Sequence, residues 1–181
     1  MGYDRIIVSA EEIQNTVLEM SEDINRAYSG IEKLVVVVLL EGARPFADDL
    51  VKHLDMAVEV VYIKASSYKG GTSSSGKVKI QKETDLKQKL AGRDVLIVDD
   101  IYDTGLTLGK VTKSLAVHAP KSMRICVLLE KTIKHLAEVP INFVGLKIDD
   151  LFVIGYGLDY NEKYRELPFI ATFSETQANA E

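Results

Sequence analysis

With 181 residues, 46% of them hydrophobic and 27% charged, the chain has the balance of a soluble globular protein with one sizeable core. Its formal net charge of −5 argues against a general nucleic-acid binder, which must neutralise phosphates with lysine and arginine, and leaves a small molecule as the expected partner. Neither an export signal nor an apolar run approaching the ~18 residues of a membrane helix stands out, so a cytoplasmic protein with no membrane partner is expected.

Ser9 with Glu12 three residues later makes a capping box, and Ile13, Val17, Leu18, Ile24 and Tyr28 recur at helical spacing, which predicts a helix over 10–28. "KLVVVVLL" (33–40) is a continuous apolar run after Lys33 with four β-branched valines and no polar alternation, the pattern of a parallel strand covered on both faces. It ends in "EGARP"; a helix follows through "PFADDLVKHL" and a strand through "AVEVVYIKAS". A Gly/Ser stretch then runs from Ser66 to Gly76, and "KVKIQKE" alternates Val78 and Ile80 with polar residues, as a half-exposed strand does. "RDVLIV" (93–98) is another buried strand, running into "DDIYDTG" and a helix "LTLGKVTKSLAVHA" that Pro120 stops. "MRICVLLE", "INFVGLKI" and "LFVIGYG" read as further strands and "FIATF" as a short last one, with the tail 174–181 disordered. The single cysteine, Cys126, falls inside the first of these and reads as a buried, inert thiol.

Strands alternating with helices define the α/β class: one domain over 1–181, a twisted, mainly parallel sheet with helices on both faces. Ligands bind outside the carboxyl ends of the strands in such sheets. Three ends carry polar residues directly after apolar runs, Glu41-Gly42, Asp99-Asp100 and Glu130-Lys131, and are expected to converge.

"VLIVDDIYDTGLT" is the most informative stretch. Two adjacent carboxylates end a strand, Asp103 adds a third, and Thr104, Gly105, Leu106 and Thr107 open a helix. Unpaired amides at a helix start, a glycine that allows close approach and two hydroxyls suit a phosphate dianion. Asp99 and Asp100 suit hydroxyls or a metal, so a ribose 5-phosphate meets both demands; the plainer alternative is that the acids cap the helix. "GGTSSSGKV" has the spacing of a nucleoside-triphosphate phosphate loop in Gly71, Gly76 and Lys77 but Val78 where a hydroxyl should hold magnesium. It also precedes a predicted strand, where that motif needs a helix.

Hydrophobic strand, two acids, two further residues, then Asp-Thr-Gly-x-Thr resembles the 5-phosphoribosyl-1-diphosphate signature of type I phosphoribosyltransferases. The resemblance extends to the hypoxanthine-guanine phosphoribosyltransferases over about 33–170, through "LLEGARPFADDL", "SSYKG", "LLEK" and "FVIGYGLDYNEKYRELP". It implies their fold, with a small hood from the terminal segments, and transfer of phosphoribosyl to hypoxanthine or guanine with release of pyrophosphate. By matched position, Asp99 and Asp100 hold the ribose hydroxyls and, with Asp159, the magnesium shell. Asp103 to Thr107, including Leu106, cradle the 5-phosphate, and Asp103 is the candidate general base. Lys131 reads the exocyclic oxygen of a 6-oxo purine, Phe152 stacks on the base, and Val153 and Asp159 border it. Glu41, Gly42, Arg44, Ser67, Tyr68 and Arg165 match pyrophosphate contacts, and 66–77 a mobile active-site flap. The same resemblance implies a homodimer or homotetramer.

Three departures stand out. Glu41 replaces the basic residue usual beside the glycine, which leaves Arg44 to restore positive charge; Asp99 replaces the commoner glutamate; and "TIKHLAEV" lacks the basic cluster often found after the lysine. Two other readings remain open: a xanthine-preferring enzyme and a non-catalytic regulator of the same fold. The histidines, among them His53 and His118 near predicted helix ends, receive no role.

Overall fold

A computed structural model describes residues 3–64 and 86–174. The expected flap over 66–77 with Ser67 and Tyr68, the strand "KVKIQKE" and all but the first residue of the tail lie outside the described residues.

The elements run β1 (Arg5–Val8), α1 (Ala10–Ala27), β2 (Lys33–Leu40), α2 (Arg44–Leu50) with a 3-10 turn (Val51–His53), and β3 (Ala57–Lys64). After the gap come α3 (Leu86–Leu90), β4 (Asp94–Tyr102), α4 (Leu106–Ala116), β5 (Ser122–Lys131), β6 (Phe143–Ile148), β7 (Val153–Ile154) and β8 (Ile170–Thr172). Five strands form one sheet in the order β3-β2-β4-β5-β6, every pair parallel. A second sheet, β1-β8-β7, is antiparallel and joins the two ends of the chain as the hood.

The unbroken apolar run of β2 follows from cover on both faces. Leu34, Val36 and Val38 pack with Ile13, Val17, Ile24 and Phe46 under α1 and α2, while Val35, Val37 and Leu39 pack with Leu108, Val111 and Leu115 under α4. β4 is shared in the same way, Leu96 and Val98 to one side, Val95 and Ile97 to the other. Cys126 sits fully buried with a free thiol, and burial pushes its pKa well up, so the thiol is inert as expected.

Ser9 caps α1 as the sequence indicates, its hydroxyl accepting the Glu12 N–H while the Glu12 carboxylate accepts the Ser9 N–H at 2.7 Å. The buried stripe differs from expectation at one place: Leu18 is largely exposed, and the small polar Thr16 and Ser21 face inward instead. Both hydroxyls donate to carbonyls of their own helix, Glu12 and Leu18, at 2.8 and 2.7 Å, which makes their burial affordable.

Other boundaries shift. β1 was not anticipated, the strand expected over "LFVIGYG" is only two residues long, and α4 ends at Ala116, before the expected stop at Pro120. Past Ile154 the chain turns through Gly155, Tyr156 and Gly157, all at positive φ, and leaves the ladder. Tyr156 anchors this turn on α2, its hydroxyl donating to Asp49 Oδ2 at 2.7 Å.

Phe46, fully buried beneath the loop between β2 and α2, is the largest side chain holding that loop to the core. Phe46→Ala is expected to lower unfolding free energy by about 3–5 kcal/mol, read as a reduced urea midpoint at unchanged slope.

Candidate active site

The sheet order reverses between β2 and β4: the chain leaves β2 for β3 on one side and returns to lay β4 on the other. A crevice opens at such a switch point, outside the carboxyl ends of the strands. Here it is a cavity of about 580 Å³, bordered by Glu41 and Gly42 after β2, Asp99 and Asp100 on β4, the loop from Asp103 to Thr107, and Asp159 with Arg165 from the hood segment. The Leu40–Glu41 peptide bond at its edge is cis.

Asp99 is 7% exposed. Loss of hydration, then the neighbouring Asp100 charge, pushes its carboxyl well above the usual carboxylate range. Burial raises Asp100 too, but there a hydrogen bond with Asp99, the Asp100 and Ile101 amides and the Arg165 guanidinium oppose the rise. Burial thus raises both carboxyls, Asp99 the more strongly. Gly42 is glycine for a reason visible here: a Cβ on it would lie 1.9 Å from Asp100 Oδ2.

The acids do not cap α4. Its N-cap is Gly105, at φ +78 with no side-chain cap, and the first turn is left open toward the cavity except for a long contact from the Leu106 N–H to Thr104 Oγ1 at 3.5 Å. Thr104, Gly105 and Thr107 border the cavity; the Leu106 side chain faces solvent. Behind this loop runs the segment after Lys131. The Leu136 and Ala137 amides donate to the Thr104 carbonyl at 2.9 and 3.0 Å, and a Cβ at position 105 would fall 2.0 Å from the Ala137 carbonyl oxygen. Tyr102, at the end of β4, donates to the Ala137 carbonyl at 3.1 Å and accepts the Val139 N–H at 3.2 Å.

Lys131 extends from β5 toward Asp103, its Nζ 3.6 Å from Asp103 Oδ2 and 3.0 Å from Asp150 Oδ1. All three strand ends named from the sequence thus meet at one edge. Phe152 is 53% exposed, with Tyr160 in a T-shaped contact at a centroid distance of 5.9 Å. Val153 is buried in the hood ladder opposite Thr172. Arg165 bonds Asp159 Oδ1 at 2.8 Å and donates to the Gly157 carbonyl.

Of the expected site residues, Leu106, Lys131, Phe152 and Val153 do not border the cavity, and Arg44 is turned away from it. Arg44 pairs with Asp48 at 3.6 Å one helical turn on and lies over the Tyr62 ring at 5.8 Å, outside the cavity. The cation beside Glu41 is instead Lys64, Nζ to Oε1 3.5 Å, carried by β3 directly opposite Leu40. Sequence reading passed over Lys64, Asp150 and His135, because each acquires its neighbour only through strand pairing or a loop crossing. Among the described residues no cluster of three or more metal-binding side chains closes on one point. The oxygen donors of Asp99, Asp100 and Asp159 border one cavity, the arrangement that suits a hard cation keeping water and ligand oxygens.

A five-stranded parallel sheet with helices on both faces and a cavity at its switch point defines an α/β protein whose ligand site lies at the carboxyl edge of the sheet. The sequence profile of the phosphoribosyl transferase domain matches residues 7–161, and the chain belongs to that family. It is 42% identical over 167 residues to the hypoxanthine-guanine phosphoribosyltransferase of Bacillus subtilis, covering 92% of this chain and 91% of that one. It is likewise 42% identical over 167 residues to a hypoxanthine phosphoribosyltransferase of Salmonella typhimurium, covering 91% and 92%. Among solved structures, a hypoxanthine-guanine phosphoribosyltransferase of Bacillus anthracis superposes with TM-score 0.87 at 38% identity, over 95% of this chain and 99% of that one. Among the described residues no helix is long and apolar enough to cross a membrane.

The raised Asp99 carboxyl has a direct stability consequence. In the unfolded chain the group ionises near the ordinary value of about 3.9, in the folded chain only at higher pH, so stability is fullest below the former and falls as pH rises through the latter. Asp99→Asn is therefore expected to melt several degrees above the parent at pH 7.5, at roughly 2–4 °C per kcal/mol, with the gain vanishing near pH 4 in thermal scans.

Proposed function

We propose that the chain transfers 5-phosphoribosyl from 5-phosphoribosyl-1-diphosphate to hypoxanthine or guanine, giving IMP or GMP and pyrophosphate, as a cytoplasmic purine-salvage enzyme. The observation that carries this reading is one cavity bordered by the Asp99–Asp100 pair, the open turn at Gly105 and Asp103, with Lys131 reaching Asp103 from beside it at 3.6 Å. The names of the relatives point to the same chemistry.

Asp99 and Asp100 would accept from the ribose hydroxyls and, with Asp159, hold magnesium, whose charge offsets that of the diphosphate. The open turn takes the 5-phosphate through the amides of Thr104 to Thr107 and the two threonine hydroxyls. As the bond from the anomeric carbon to the diphosphate oxygen breaks, positive charge grows on the sugar, and the carboxylates below it stabilise that charge. The leaving group collects at Arg165 and the amides near Gly42, with Lys64 neutralising Glu41. A purine nitrogen bonds the anomeric carbon and gives its proton to Asp103. Lys131, with its Nζ 3.6 Å from Asp103 Oδ2, donates to the exocyclic oxygen. The exposed Phe152 ring offers the stacking surface.

A regulator that only senses ligand needs no base beside a purine-reading ammonium, so the Asp103–Lys131 contact favours turnover. Assembly as a homodimer or homotetramer belongs to the same proposal. The deciding experiment incubates the purified chain with magnesium, the diphosphate donor and each of hypoxanthine, guanine, xanthine and adenine, and quantifies nucleotide and pyrophosphate. Product from the first two is expected; xanthine alone would shift the acceptor, and no product from any base would end the enzyme reading. Asp103→Asn is expected to lower turnover by about 10²–10⁴ while donor binding, followed by calorimetry, changes little.

A further inference from the structure

His135 has no place in the chemistry above, yet it is mostly buried, with its side chain 11% exposed, against the back of the phosphate turn. Its ring stacks on Tyr102 at a centroid distance of 3.9 Å and an interplanar angle of 27°. Its Nδ1 lies within hydrogen-bonding distance of the Asp103 carbonyl oxygen, and since a carbonyl can only accept, Nδ1 carries the proton. On the other edge, Nε2 is 3.9 Å from Glu130 Oε1, and Glu130 is in turn 3.4 Å from Lys147. The same segment supplies two more donors, the Leu136 and Ala137 amides, to the next carbonyl along, that of Thr104.

Three donors thus hold two successive carbonyls of the turn on the side away from the cavity. The peptide units from Asp103 to Gly105 are trans, and a trans unit puts its C=O and the following N–H on opposite sides. Fixing the Asp103 carbonyl outward turns the Thr104 N–H inward; fixing the Thr104 carbonyl outward does the same for the Gly105 N–H. Both residues border the cavity.

We infer that His135 is a positioning residue for the 5-phosphate: by donating to the Asp103 carbonyl it aims the Thr104 amide at the phosphate and holds the Asp103 backbone in register. The Gly105 amide is oriented through main-chain donors, the Leu136 and Ala137 N–H groups on the Thr104 carbonyl, whereas the Thr104 amide depends on a side chain. The inference deepens the phosphoribosyl-transfer reading and rests on it.

Two variants separate the donor from the ring. His135→Phe keeps a flat ring against Tyr102 and removes the donor; His135→Asn keeps an N–H at the Nδ1 position and removes the stack. For the Phe variant, the KM for the diphosphate donor and the dissociation constant for IMP are expected to rise about 3–10-fold, the effect of losing one neutral hydrogen bond. The KM for the purine and affinity for inosine, which lacks the phosphate, should stay at the parent's values, and the Asn variant should lie within about twofold of the parent, the low end of that same range. Unchanged IMP binding in the Phe variant overturns the inference, as do equal losses in both variants or equal weakening of IMP and inosine. A parent that binds IMP in preference to inosine but makes no nucleotide sinks the enzyme reading and leaves this test readable; a parent without that preference sinks both.

Discussion

Two carboxylates on consecutive residues, both withdrawn from water, set the terms for the rest of the carboxyl edge of the sheet. Burying charge in a low-dielectric setting is unfavourable unless partners compensate, and here the compensation comes from two backbone amides and the Arg165 guanidinium. β4 places the acids there because Val95 to Val98 belong between two layers of helix, and the strand that buries them carries its own end into the crevice. The neighbouring backbone adapts to the pair, since Gly42 approaches Asp100 more closely than any side chain would allow. Local instability and readiness to bind are then one property, in keeping with strain gathered where function needs it.

Positive charge reaches this acidic cavity from several distant parts of the chain. Arg165 comes from the hood, Lys131 from β5 and Lys64 from the edge strand β3, each tied to a carboxylate: Asp159, Asp103 and Glu41 respectively. Paired cations of this kind are held in place before an anion arrives and can exchange one partner for another. That economy also explains why a glutamate is tolerated beside a diphosphate site. Glu41 does not stand alone, and its partner is fixed by the register of Leu40 against Lys64.

Much of this was readable beforehand. Wherever a residue's environment follows from its own neighbours in sequence, the reading held: the capping box at Ser9, the doubly covered β2 and the open turn at Gly105, although β4 runs two residues past the acid pair expected to close it, to Tyr102. The misses share a cause. β1 is a short run whose partner is β8, with Arg5 opposite Thr172, and nothing local distinguishes it from loop. The two-residue β7 follows from a chain of positive-φ positions that periodicity does not register. Arg44 was assigned from its place in a motif, but one helical turn and an aromatic ring across the strand claimed it. His135 and Asp103 are 32 residues apart, and only the path of the loop after β5 brings them together.

The turn at Gly155 to Gly157 has a wider reach than its size suggests. Gly157 is packed so tightly on the Gly42 carbonyl that a Cβ would lie 2.0 Å from it, and Tyr156 is fastened to Asp49 beside it. Burial keeps that phenol protonated and therefore a donor. The segment bearing Phe152, Asp159 and Arg165 consequently takes its bearings from the β2–α2 corner, whereas Asp103 and Lys131 ride on β4 and β5. The spacing between the two groups of residues is thus gauged by the sheet itself, like the jaws of a caliper whose beam is the β2–β4 pairing, with Gly157 on the Gly42 carbonyl as the contact that sets one jaw.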